Sequence, residues 1–244
     1  MKLNGKTALI TGGAIRIGKA ISTELANHGV NIAMHYHRSK SEAMQLQNEL
    51  RSKGVKVELF KADISDLESI PGFFEEVNQT FPKIDILVNN AGVFPKGGLL
   101  DINKEQLDQV FGINLFAPLF LMRAFAKQIP SDGQGKIVNI VDAKVFKSEP
   151  ARFAYRLTKI ALWEATKMAA MELAPRITVN AISPGLMMSL AGYEHLDMQA
   201  VAERRVPLKI LGSGEIVAQN LIHILKQDFM TGNNIIIDGG EYIS

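Results

Sequence analysis

The 244-residue sequence contains no cysteine. That absence excludes disulfides, zinc–thiolate and iron–sulfur centres and a cysteine nucleophile. It accords with a reducing compartment without proving one. Net charge is also scarce: 27 basic against 25 acidic residues give a formal +2, too balanced to imply nucleic-acid binding from bulk charge. No apolar run approaches the ~18 uninterrupted residues of a membrane span. The longest candidate, Ile113 to Met122, holds Asn114 and Pro118 and ends at Arg123. The apolar run after Met1-Lys2-Leu3-Asn4-Gly5-Lys6 is cut by Thr11 and Gly12. It is too short for a signal h-region and lacks a cleavage pattern. A cytoplasmic protein without nucleic-acid or membrane partners is expected. Low-complexity tracts, linkers and repeats are lacking as well. What remains is ordinary globular composition, 47% hydrophobic and 21% charged, at a length suited to one α/β domain with a large core.

Short β-rich runs alternate with longer helical patterns. Strands are expected at 7–11, 30–35, 55–60, 84–88, 136–141, 177–182 and 234–237. Helices are expected at 16–28, 42–52, from an Asp66 N-cap to about 80, at 103–129, 153–174, 194–204 and 214–227. The alternation implies βαβ crossovers and a mainly parallel seven-stranded sheet covered on both faces. The strands are near-continuous apolar runs, as doubly buried parallel strands should be. The fold class is therefore α/β, a single Rossmann-type doubly wound domain over 1–244. Ligands of such sheets sit outside the carboxyl ends of the strands, so the residues after each strand carry the chemistry.

After the first strand comes Thr11-Gly12-Gly13-Ala14-Ile15-Arg16-Ile17-Gly18, opening a helix. Glycines permit a sharp turn and close approach of a pyrophosphate. The helix N-terminus supplies unpaired N–H groups and partial positive charge. A glycine-rich turn with a solvated arginine is the plainer alternative. The pattern T-G-x-x-x-R-x-G resembles the T-G-x-x-x-G-x-G turn of short-chain dehydrogenases/reductases, with Arg16 in place of the middle glycine.

In a dinucleotide fold, an acid about 20 residues on binds the ribose 2′-OH of NAD, and an arginine instead accommodates a 2′-phosphate. No acid occurs between Ile32 and Ser41. The second strand ends in His35-Tyr36-His37-Arg38-Ser39-Lys40. Arg38 can fork onto a phosphate, and His37, Ser39 and loop N–H groups add donors, so NADPH/NADP is the expected cofactor. The competing readings are a metal site at His35-x-His37, which lacks a third ligand, and plain exposed loop residues. No metal is expected.

Asp63 and Ile64 follow the third strand. The resemblance implies an adenine contact from Asp63, while an N-cap or turn aspartate is the alternative. Asn89-Asn90-Ala91-Gly92 matches the family's N-N-A-G, with small residues that let the backbone lie against a flat ring. Phe94 reads as an aromatic shelf or as core. Asn114 interrupts an apolar helix and needs hydrogen-bond partners. The family implies that it supports the catalytic lysine through a water.

Tyr155-Arg156-Leu157-Thr158-Lys159 places a phenol and an ammonium on one helix face. The ammonium should lower the phenol pKa from about 10 toward neutrality and make Tyr155 a general acid. Y-x-x-x-K alone is weak. It gains weight from Lys136–Asp142 before it and from Asn180-Ala-Ile-Ser-Pro184-Gly185 after it, the family's N-x-x-x-P-G. The motifs run in order from residue 7 to about 240. Pro184, Gly185 and Leu186 are expected at the cofactor, together with Ile17, Gly18, Tyr155 and Lys159.

Most short-chain reductases carry serine where this chain has Asp142. A carboxylate repels a carbonyl oxygen, suits an N–H group, and donates when protonated. Arg16, Phe94 and Asp142, with His35–Ser39, resemble pteridine reductases and dihydromonapterin reductases. That resemblance implies a pterin sandwiched between Phe94 and the nicotinamide, faced by Arg16, with Asp142 and Tyr155 serving proton transfer. Gly92 stands where some pteridine reductases carry serine. The alternatives are a carbonyl reductase, for instance on 3-oxoacyl thioesters, and a non-catalytic NADP-binding sensor. Intact Tyr155, Lys159 and Asn114 count against the sensor. Residues 187–207, with Met187, Met188, Tyr193, His195 and Met198, are expected to form a substrate lid. A homotetramer is implied by the family, and the apolar stripe of 153–174 with Trp163 suits it or burial on the sheet.

Overall fold

The computed structural model describes residues 1–147, 150–188 and 196–244. Its elements are β1 (Thr7–Ile10), α1 (Arg16–Asn27), β2 (Asn31–Tyr36), α2 (Lys40–Arg51), β3 (Val57–Lys61), α3 (Ile70–Thr80), β4 (Ile86–Asn89), α4 (Lys104–Phe111), α5 (Ala117–Gln128), β5 (Gly135–Ile140), α6 (Phe153–Leu173), β6 (Ile177–Pro184), α7 (Met198–Arg205), α8 (Gly214–Lys226) and β7 (Asn234–Ile237). The strands form one sheet in the order β3-β2-β1-β4-β5-β6-β7, parallel at every pairing. The order reverses between β1 and β4, which opens a crevice at their carboxyl ends.

Alternation along the strands builds two cores. In β1, Ala8 and Ile10 pack with Ile21 and Leu25 of α1, Leu46 of α2 and Leu221 of α8. Leu9 points the other way, toward Phe73 and Val77 of α3 and Leu121 and Phe125 of α5. Each such buried side chain contributes roughly 1.5–3 kcal/mol relative to exposure.

Three boundaries differ from the sequence reading. Asp66 makes no side-chain cap bond and precedes a single 3₁₀ turn, Leu67–Ser69. The helix proper begins at Ile70, with Pro71 in its first turn, where a missing N–H does no harm. The expected long helix over 103–129 is interrupted by a π-helical turn, Gly112–Phe116. Pro118 has no N–H to give the carbonyl of Asn114, so the regular ladder cannot run through this point. The whole stretch Lys104–Gln128 is long and apolar enough to cross a membrane by length and composition, which the uninterrupted-run argument did not register. Half of that stretch, including Val110, Leu121 and Phe125, lies buried in the fold. The expected helix at 194–204 begins at Met198. Tyr193 and His195 lie outside the described residues.

Candidate active site

A cavity of about 800 Å³ opens at the carboxyl ends of the strands, lined by Gly12, Arg16–Gly18, His37, Asp63, Ile64, Asn90–Phe94, Asp142, Tyr155, Lys159 and Pro184–Met188 among others. The β1–α1 turn forms one wall. Thr11 Oγ1 accepts from the N–H groups of Asn90 and Ala91, both at 3.0 Å, and donates to Val88 O. Asn90 Nδ2 donates to Thr11 O and Gly12 O. These bonds tie the end of β1 to the end of β4. Gly12 has φ +61°. A Cβ on Gly18 would lie 2.0 Å from Gly12 O. α1 begins without a side-chain cap on its first N–H groups, which leaves them to face an anion. Arg16 has φ +54°, in the left-handed region that glycine enters freely and an arginine enters at a cost on the order of 1 kcal/mol. The turn keeps the glycine conformation although the residue is arginine.

The second strand end departs from expectation. His35 and Tyr36 point to opposite faces of the sheet, as alternation requires. Tyr36 is buried in the core with the α1–α2 layer, so its side chain does not reach the cavity. His35 is 2% exposed. It accepts from Gly12 N–H at Nδ1, 3.2 Å, and its Nε2 lies 3.1 Å from Ala62 O. It braces the glycine turn from the cavity wall, with both ring nitrogens engaged. Arg38 is exposed, and Ser39 sits half-buried at the start of α2 without a side-chain cap bond. His37 lines the cavity, 3.8 Å from Asp63 Oδ2. Asp63 Oδ1 accepts from Ser65 Oγ and N–H, which holds its carboxyl below the usual range, helped by His37 and Arg38. Among the described residues no group of three or more His, Asp or Glu could hold a metal.

Burial lowers the His35 pKa to about 4 from 6.5. As pH falls from 6.5 to 4 the unfolded chain takes up this proton and the folded chain does not. Stability is therefore full above about 6.5 and drops by about 3 kcal/mol across this window. Urea unfolding between pH 7 and 4 should show that loss in the wild type and its absence in the relative curve of His35→Asn.

Asn114, in the π-helical turn, is fully buried. Its Oδ1 accepts from Val93 N–H at 2.8 Å, and its Nδ2 donates to Val93 O at 2.9 Å and toward Thr158 Oγ1 at 3.4 Å. The asparagine thus fixes the loop carrying Gly92 and Phe94. A Cβ on Gly92 would meet Asn114 Oδ1 at 3.2 Å and Lys159 Nζ at 3.9 Å.

Tyr155 lies against Asp142, the residue expected to share proton transfer with it, and Lys159 lies against a backbone carbonyl. Tyr155 Oη donates to Asp142 Oδ2 at 2.9 Å. Asp142 Oδ1 accepts from Lys144 N–H at 2.7 Å. Lys159 Nζ donates to Ile140 O at 2.8 Å and lies 5.8 Å from the Tyr155 ring centre. Burial, and then the Asp142 carboxylate, push the phenol pKa well above its ordinary range. The lowering expected from lysine is reversed, first because burial disfavours the phenolate and then because the neighbouring carboxylate repels it and accepts its proton. Burial raises the Asp142 pKa against the pull of Lys144 N–H, Tyr155, Lys159 and Arg156. Burial lowers Lys159 to about 8, opposed by Asp142. The result is a half-buried, hydrogen-bonded phenol–carboxyl pair in the cavity wall, close to Lys159.

Several wall residues had no signal in the sequence. Arg152 and Arg156 come from the head of α6, Lys144 from the turn after β5, Arg205 from α7 and Glu241 from the last turn. Glu241 is buried and binds Arg205 at 3.0 Å through Nε and Lys144 at 3.3 Å. Beneath the site, Asn89 donates to Asn139, and Asn139 to Thr166, a polar ladder between β4, β5 and α6. Thr11 was visible within the glycine motif, and its bonds to the N-N-A-G segment are what that position supplies.

A family model described as enoyl-(acyl carrier protein) reductase matches residues 13–241. The 3-oxoacyl-[acyl-carrier-protein] reductase FabG of Staphylococcus epidermidis is 31% identical over 98% of this chain and 99% of its own length. The structure of FolM alternative dihydrofolate reductase 1 from Brucella canis, complexed with NADP, is similar at TM-score 0.92 and 32% identity, covering 100% of this chain and 97% of that one. A short chain dehydrogenase from Burkholderia cenocepacia in complex with NADP is similar at TM-score 0.91 and 28% identity over 99% of both chains. Matched over nearly its whole length, the chain belongs to the short-chain dehydrogenase/reductase family of oxidoreductases.

Proposed function

We propose that the protein is an NADPH-dependent reductase of pterins, converting a dihydropterin to the tetrahydro form, with dihydrofolate as a further substrate. The observation that carries this reading is the Tyr155–Asp142 hydrogen bond in the cavity wall. NADP fits the residues present. Glycines 12 and 18 keep side chains away from the pyrophosphate turn, the first turn of α1 is uncapped, and Arg38, with the His37 ring beside it, would hold a ribose phosphate at the end of β2. NADP in the FolM structures is consistent with this.

When bound, NADPH would supply the hydride, and a C=N bond of the pyrazine ring would accept it at carbon. The adjacent ring nitrogen then needs one proton. Tyr155 Oη is the donor, and Asp142, which accepts the phenolic hydrogen bond and whose pKa burial raises, is placed to return a proton to it from solvent. Hydride plus proton reduce one C=N bond, and the pair ends as it began. Lys159 supplies positive charge beside the phenolate as it forms. Phe94 offers an aromatic surface beside Tyr155, their rings 4.4 Å apart and edge-on, and Arg16 adds a cation on the wall.

The second reading, a carbonyl reductase, is favoured by the likeness to FabG. Asp142 argues against it, because its carboxylate stands where a hydroxyl would hold a carbonyl oxygen. Asp142→Ser separates the two. It should lower kcat/KM for dihydrobiopterin or dihydromonapterin about a hundred-fold and leave or improve reduction of a 3-oxoacyl thioester. Wild-type turnover of the thioester with none of any pterin or dihydrofolate would replace the first reading by the second.

A further inference from the structure

Arg152 combines three features. Its backbone lies at φ +58°, ψ +46°, the left-handed region, immediately before α6. Its Nη1 donates to Phe94 O at 2.9 Å. Its guanidinium lies 3.8 Å from the centre of the Phe94 ring. Strain of this kind persists only where surrounding contacts over-determine it, and it concentrates at functional sites.

Phe94 needs such a contact. It sits on a loop, 36% exposed, and a phenyl ring there has two free side-chain torsions. Asn114 fixes the backbone at Val93 but does not fix the ring. Arg152 grips both the carbonyl and the face of Phe94, and three residues on along the same helix Tyr155 meets its edge. The loop after β4 and the proton-donating helix, already tied by the Phe153 N–H to Gly97 O bond at 2.9 Å, are joined at the Phe94 ring by a planar cation whose fork and flat face a lysine cannot reproduce.

We propose that Arg152 is a positioning residue that locks the Phe94 ring as the seat for a flat heteroaromatic substrate beside Tyr155. This deepens the pterin reading and rests on it for the reaction, but not for the binding. Arg152→Gly removes the guanidinium while relieving the positive φ, and Arg152→Lys keeps the charge and removes the plane. With NADPH bound, both variants should raise KM for a dihydropterin about ten-fold, with a smaller change in kcat. The Kd of oxidised pterin in the NADP complex, read by quenching of pterin fluorescence, should rise by a similar factor. The Kd of NADP itself should not move, and Tm should hold or rise in Arg152→Gly. A fall in Tm with unchanged pterin Kd would make Arg152 merely structural and overturn the proposal. If the wild type binds pterin without reducing it, the reductase reading fails and the Kd ratio still decides the role of Arg152. If the wild type binds no pterin, both fall.

Discussion

Tyr155→Phe should lower kcat for dihydropterin reduction about a thousand-fold and leave the Kd of NADPH nearly unchanged. The phenol lines the cavity and is bonded to Asp142 at 2.9 Å, so its hydroxyl is the group placed to deliver the proton. General acid catalysis of this kind contributes roughly 10²–10⁴ in rate. Phenylalanine keeps the ring and its edge contact with Phe94, which confines the loss to proton transfer. It also strips Asp142 of a donor that now holds its pKa down, so the remaining carboxyl should be protonated over a wider pH range. The wild-type profile should fall on the alkaline side as Lys159, lowered to about 8, loses the ammonium that supports the phenolate. Steady-state rates against pH, followed by NADPH absorbance, check both statements. A Tyr155→Phe enzyme with wild-type kcat would assign the proton to another group.

The legible part of this site was the part written in local backbone geometry. A glycine turn after an apolar run, an absent acid after the second strand, and Y-x-x-x-K on one helix face are patterns of neighbouring residues. They located the cavity from one end of the chain to the other. Three things were not local. The partner of the Tyr155 phenol depends on where β5 sets Asp142 against α6, and spacing alone favours the lysine four residues away. The grip of Arg152 on Phe94 links residues 58 apart, and a positive φ at an arginine has no sequence signature. The π-helical turn at Asn114 follows from Pro118, but where the freed side chain would bond depends on the loop after β4. His35 was the reverse case. Alternation along β2 already forces His35 and Tyr36 to opposite faces, so both cannot attend one ligand, and that constraint was available from the strand assignment.

Gly18→Ala should destabilise the fold by about 3 kcal/mol or abolish NADPH binding, and most simply do both. A Cβ at position 18 would lie 2.0 Å from Gly12 O and 2.9 Å from Gly12 C, both backbone atoms, and 2.7 Å from Asn90 Nδ2. Neither rotamer change nor a flexible side chain can clear that overlap, so the turn itself must open. Opening it moves the two carbonyls that Asn90 Nδ2 binds, Thr11 O and Gly12 O, and Gly12 N–H leaves His35 Nδ1. The ends of β1, β2 and β4 are held together by these bonds, and the pyrophosphate turn lies on them. Arg16→Gly is the control in the same turn. Position 16 is already at φ +54°, so glycine should fit with stability within about 1 kcal/mol of wild type. Urea unfolding gives the stabilities and calorimetric titration of NADPH the affinities. Wild-type behaviour of Gly18→Ala in both would mean that the turn is looser than this packing allows. A loss confined to affinity would place the whole cost of the methyl group on the approach of the pyrophosphate to the helix N-terminus.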